Sequence, residues 1–109
     1  MPLLAVTVTF RLHPGGALRF GPLLRENARA SMTHEPGCLR FDICLPQGGD
    51  GHEIFLYELY IDRAAFDSHL ASDHFRNFDT ATRGIVSEKR IAFFLVDINE
   101  TPGPMSRCG

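Results

Sequence analysis

The stretch AAFDSHLASDHFRNF, Ala64 to Phe78, holds two histidines five positions apart, His69 and His74, among Phe66, Phe75 and Phe78. Imidazoles among aromatic rings suit three different tasks. They can hold a metal ion, move a proton, or sit as hydrogen-bonded packing in a core. The spacing bears on the first. Five residues of continuous helix is a turn of ~500°, which leaves the two rings ~140° apart around the axis. Two zinc-binding histidines on one helix usually sit four apart. No third ligand stands nearby in the sequence, so no metal is expected. If Ser72 interrupts the helix, both rings can still turn toward one cavity.

His69 follows Phe66 by three residues and shares its face, so the ring should point inward. It is then either a core histidine with a hydrogen-bond partner or a general base in a small aromatic pocket. A neutral imidazole titrating near pH ~6.5 suits that second task. His74 is expected near the pocket mouth or on the surface. Asn27 and Ser31 lie four apart on an apolar helical stripe with Leu24 and Ala28. Polar groups there need partners, either in helix-to-sheet bonding or in a bound carbonyl or hydroxyl. Phe41 and Tyr57 are expected to line the same space, the tyrosine hydroxyl again needing a partner. His34 and Glu35 end the helix and are read as capping or solvated groups. His13 and His52 fall in turns.

The elements that must position these groups follow from periodicity. LLAVTVTFRL (3–12) alternates, with Leu4, Val6, Val8 and Phe10 on one face, as a strand does. Apolar residues then recur at helical spacing from Ala17 to His34. Pro22 means either that the regular helix begins near Phe20 or that it is kinked. CLRFDICL (38–45) and EIFLYELYI (53–61) alternate again and are joined by PQGGDGH, a hairpin connection. Pairing the two strands so that Phe41 meets Tyr57 and Ile43 meets Phe55 gathers one aromatic face. It also brings Arg40 to Glu58, and a one-residue slip would mix the faces. Asp62 can cap a helix from Arg63 to Ser72. Ser72 or Asp73 can cap a second helical segment to about Ile85. KRIAFFLVDI (89–98) is a last strand, apolar on both faces.

The order β-α-β-β-α-β predicts an α+β, ferredoxin-like fold: one antiparallel sheet with its helices on one face. Residues 1–98 then form a single domain and 99–109 a tail. The uncovered sheet face would carry Ile54, Leu56, Tyr60, Phe94 and Val96. Such a patch predicts a homodimer packed sheet to sheet, with Arg40 and Glu58 as a polar pair inside it.

Composition limits the remaining possibilities. The chain has 109 residues, 44% hydrophobic and 22% charged, with a net charge of −2, which is ordinary globular composition. No basic cluster points to nucleic acid. No apolar run approaches the ~18 residues of a membrane span. The N-terminus lacks the basic start of a signal peptide, so a cytoplasmic protein is expected. Cys38 and Cys44 on one strand would lie ~20 Å apart, beyond disulfide reach, and reduced thiols fit that compartment.

Three segments together resemble the antibiotic biosynthesis monooxygenase superfamily, the dimeric α+β-barrel proteins. They are ENARASMTHEPGCLRFDI, FLYELYIDRAAFDSHL and SDHFRNF. The resemblance runs from about Leu4 to Val96. It implies a cofactor-free enzyme with neither metal nor flavin, oxidising a small aromatic quinol or phenol with O₂. Among its branches the small quinol monooxygenases look nearest. The isomerase of phosphorylated autoinducer-2, acting on a hydroxy-diketone, looks similar. The haem-degrading branch depends on a pocket tryptophan, and this chain has none. A non-catalytic small-ligand-binding dimer is the further alternative. In the enzymatic case His69 would act as base, with Tyr57 and Asn27 as catalytic partners. Ser31, Phe41, Phe66, His74 and Phe75 would bind substrate.

Overall fold

In the computed structural model, which describes residues 2–97, the strand expected at the N-terminus is β1, Leu3–Leu12. It is followed by α1 (Ala17–His34), β2 (Cys38–Cys44), β3 (Glu53–Tyr60), α2 (Arg63–Ala71), α3 (Asp73–Thr82) and β4 (Val86–Val96). The four strands form one antiparallel sheet in the order β2-β3-β1-β4. This is the α+β, ferredoxin-like arrangement, with the second helical region divided into two helices. The expectations for the end of the last strand and for the tail at 99–109 lie outside the described residues. Among the described residues, no helix is long and apolar enough to cross a membrane.

Each helix starts and stops for a local reason. α1 already runs at Ala17 and continues through Pro22. Asp62 accepts a hydrogen bond from the Ala65 amide and opens α2. Ser72 closes α2 and opens α3. Its backbone is extended, at φ −72° and ψ 150°, its side chain accepts from the Phe75 amide, and its hydroxyl donates to the His69 carbonyl at 2.6 Å.

The helices cover the face bearing Leu4, Val6, Val8 and Phe10 of β1. β3 is paired to β1 so that Tyr60 meets Leu4, Glu58 meets Val6, Leu56 meets Val8 and Ile54 meets Phe10. Residues directly opposite share a face, so these four β3 side chains join the core. Phe20 and Leu24 of α1, Phe66 of α2 and Phe78 of α3 close it from above. Phe10, Phe20 and Phe78 meet at ring separations of 5.1 to 6.1 Å.

That register corrects two expectations. Ile54, Leu56 and Tyr60 are buried beneath the helices rather than on the uncovered face, which carries Phe55, Tyr57 and Leu59. Between β2 and β3, Cys38 pairs with Tyr60, but the register shifts before Arg40, which pairs with Leu59. The extra residue is a bulge at Leu39, and a bulge moves every later side chain by one partner. Phe41 therefore lies opposite Glu58, and Asp42 opposite Tyr57. The expected pair of Arg40 with Glu58 does not form. Arg40 binds Asp42 at 2.6 Å on the solvent side, and Glu58 accepts from the Tyr60 hydroxyl inside the core.

Candidate active site

His69 is 2% exposed. It sits at the end of α2 inside a ring of aromatics: Phe75 at 5.1 Å between centroids, Tyr60 at 5.7 Å, Phe41 at 6.0 Å and Phe66 at 6.2 Å. Its Nδ1 lies 2.8 Å from Glu35 Oε2 and 3.4 Å from Ser31 Oγ. The same Glu35 oxygen lies 2.5 Å from His74 Nε2. A carboxylate accepts only, so each imidazole that bonds to it presents an N–H. For His69 this fixes the proton on Nδ1 and leaves Nε2 as an unprotonated acceptor. Nε2 has no partner among the described residues, and the ring lines the adjacent cavity.

Glu35 is the group that sequence reasoning missed. It ends α1 with an extended backbone, φ −105° and ψ 104°, and Pro36 after it favours that conformation. The side chain thus turns off the helix and reaches between α2 and α3. Its second oxygen, Oε1, is buried without a hydrogen-bond partner. The helix break at Ser72 completes the cluster. It cancels the ~140° offset of a continuous helix, so His69 and His74 both meet Glu35.

The cavity beside His69 lies between the helices and the sheet. Val6, Leu56 and Phe66 form apolar wall, Asn27 and Glu58 contribute polar groups, and Lys89 stands at the β4 side. The void at its centre measures about 30 Å³, room for one or two water-sized molecules. Asn27 is buried with its Oδ1 unpartnered. Lys89 Nζ lies 5.6 Å from the Phe10 ring centre and 5.7 Å from that of Phe75.

Two titratable groups share this space. Burial pushes the His69 imidazolium below its usual value, partly offset by the Glu35 carboxylate, so the ring is neutral at neutral pH. Burial pushes the Glu58 carboxyl up to about 7, against the opposing effects of the Tyr60 hydrogen bond and the Lys89 charge. The Tyr60 hydroxyl is held protonated by burial and by that same carboxyl.

Of the residues expected at the site, the structure brings together His69, Asn27, Phe66 and Phe75 on the cavity wall. Phe41 packs against His69. Ser31 lies behind the imidazole, its hydroxyl donating to the Asn27 carbonyl at 2.8 Å. His74 opens instead on an outer groove of about 640 Å³, shared with Glu35 and Ser72. Tyr57 is the correction. It points to the other face of the sheet, between Thr7 and Asp42, because β3 places its even-numbered side chains under the helices. Glu58, expected in an interface, takes the cavity position.

Solved structures share this architecture. A protein from Pseudomonas aeruginosa superposes with a TM-score of 0.82 at 24% identity, over 90% of this chain and 97% of its own. A candidate antibiotic biosynthesis monooxygenase from Nitrosomonas europaea gives 0.80 at 23%, over 85% and 88%. A structure described as an antibiotic biosynthesis monooxygenase gives 0.74 at 27%, over 88% and 98%. No protein of curated function matches the chain. Residues 3–81 match the family model for antibiotic biosynthesis monooxygenases, and the chain belongs to that family.

Proposed function

We propose that the chain is a cofactor-independent monooxygenase that oxidises a small, electron-rich phenol or quinol with O₂, and that it works as a homodimer. The observation that carries this reading is the state of His69. Its Nδ1–H is committed to Glu35, and its free Nε2 borders an apolar, aromatic-walled cavity. This is the arrangement of an oriented general base.

Nε2 takes the phenolic proton. Lys89 offsets the charge of the resulting oxyanion, and Asn27 Oδ1 accepts from a second hydroxyl. The anion passes one electron to O₂, and the two radicals join at a ring carbon as a peroxide. Loss of the carbon-bound hydrogen and cleavage of the O–O bond leave a carbonyl and release water. The departing oxygen takes one proton from Glu58, poised near neutrality, and the phenolic proton back from the His69 imidazolium, while the carbon-bound hydrogen leaves as the proton that restores Glu58. The substrate provides all four electrons, so the step needs no further reductant. The central void fits O₂. A ring system enters when the exposed rim side chains Leu70 and Ile91, with Phe75, turn outward.

A second copy would cover β4. Ile91, Phe93, Phe94 and Leu95 of this edge strand are each 45% or more exposed. Ile91, Phe93 and Leu95 pair with Val8, Val6 and Leu4 on the helix side and Phe94 lies on the other, and exposed apolar side chains on both sides of an edge strand are a surface that monomers rarely present.

The alternative isomerase of a phosphorylated hydroxy-diketone would use the same His69 and Glu58. Lys89 is the only lysine or arginine on the cavity wall among the described residues, which is sparse for a phosphate. The non-catalytic binder predicts a melting shift with ligand and no turnover. The test is O₂ uptake by metal-stripped protein across quinols and anthrols, with protein-free autoxidation subtracted. Saturable uptake should fall roughly 10²–10⁴-fold in His69→Ala. Uptake no faster than autoxidation with every substrate would count against the oxygenase, and turnover that survives without O₂ would favour the isomerase.

A further inference from the structure

We infer that Glu35, His69 and His74 form a binding site for a first-row divalent metal ion. Two imidazole nitrogens and a carboxylate oxygen, from the end of α1, from α2 and from α3, all lie within 4.8 Å of one another. That is a sufficient ligand set for zinc or cobalt, with one position left open for water. Bonds of ~2.0–2.1 Å in a tetrahedron set ligand atoms roughly 3.3 Å apart. Here the oxygen stands 2.8 Å from one nitrogen and 2.5 Å from the other. An ion enters by displacing the two N–H protons, pushing the carboxylate back by less than about 1 Å and drawing the two nitrogens, which lie within 4.8 Å of each other, together by up to ~1.5 Å.

A separate observation points to a ligand at this place. Glu35 Oε1 is buried with no hydrogen-bond partner, and the Glu35 side chain is 11% exposed. A buried carboxylate oxygen left unpartnered is costly. A metal ion, or water bound to one, would satisfy it. No lysine or arginine pairs with Glu35 among the described residues, so no fixed cation competes for the carboxylate. The outer groove reaches Glu35 and His74 and gives the ion its entry path.

This inference rests on ligand geometry and not on the oxygenation reading. The two uses of His69 exclude each other. An ion on Nδ1 moves the remaining ring proton to Nε2, so the imidazole faces the cavity as a donor and no longer as a base.

The test is titration of metal-stripped protein with Co²⁺, without substrate, followed by visible absorption and by metal content per chain. The expected result is one Co²⁺ per chain, with the strong visible bands of a low-coordinate site, displaced by Zn²⁺. His74→Ala removes a half-buried ring near the start of α3 and leaves the core packing in place. It should weaken Co²⁺ binding by more than the ~10–100-fold typical of losing an outer-shell partner. Glu35→Gln should weaken it similarly. Absence of the bands at millimolar Co²⁺ would overturn the inference. So would bands unchanged in both variants, which would place the ion elsewhere on the chain. Neither result depends on whether the protein consumes O₂.

Discussion

The Tyr60 hydroxyl donates a 2.6 Å hydrogen bond to Glu58 Oε1, two positions back along β3, and both side chains are at most 3% exposed. Positions two apart on a strand share a face, so the strand itself supplies the partner that a buried carboxyl needs. The partner is neutral, and burial still raises the Glu58 carboxyl from 4.5 to about 7. The folded state therefore holds this proton more tightly than the unfolded state. Stability is greatest below the unfolded value and declines as pH rises through about 7, by about 3 kcal/mol in all. Glu58→Gln should be more stable than the parent at pH 8, with the difference vanishing near pH 4. Urea denaturation at the two pH values measures this.

Ser72 serves both helices it separates. Replacing it with alanine removes the cap on the Phe75 amide and the bond to the His69 carbonyl. Ser72→Ala should cost about 1–2 kcal/mol, read as a lower midpoint in thermal or urea unfolding. Ser72→Thr should recover most of it.

Gly37 lies where β2 begins and passes close to α2. A methyl group there would stand 2.5 Å from the Ala65 Cβ, while the Gly37 carbonyl accepts from the Ile61 amide at 3.0 Å. The Ala65 methyl has no flexible tail to move away. Gly37→Ala should destabilise the fold by about 1–3 kcal/mol. It should also disturb Glu35 two residues earlier, so proton NMR of the His69 and His74 rings should change together.

Light scattering at tens of micromolar should report twice the mass of one chain. Phe94 is 54% exposed on the uncovered face of β4. Phe94→Glu should shift the equilibrium to monomer without loss of helix content by circular dichroism. A monomeric parent protein would sink the dimer.

The strand and helix order was legible because β1 alternates cleanly and because Asp62 and Ser72 are recognisable caps. The faces of β3 were not. Ile54, Leu56 and Tyr60 compete with Phe55, Tyr57 and Leu59, so alternation alone favours neither set. Glu58, the one charged residue between Ile54 and Tyr60, argued for the wrong set, since a lone carboxylate is a poor core residue until its tyrosine partner is seen. The bulge at Leu39 carries no glycine or other mark in the sequence. Asn27, Ser31, Phe66 and His69 were readable from helical phase. Glu35 was not, because its role depends on two helices that lie more than 25 positions further along the chain.

The junction at Ser72 has a further consequence. Its composition can vary wherever a capping side chain remains, but its length cannot. One residue added between Ser72 and His74 would turn the second imidazole by about 100° and advance it about 1.5 Å along its helix, leaving both helices intact. Phe78 lies on the same helix and would turn with it, so the insertion would take one imidazole from Glu35 and Phe78 from its place against Phe10 and Phe20. Among chains of this architecture, the number of residues between these two histidines is therefore a more discriminating mark of this three-residue cluster than the overall percentage of identical positions.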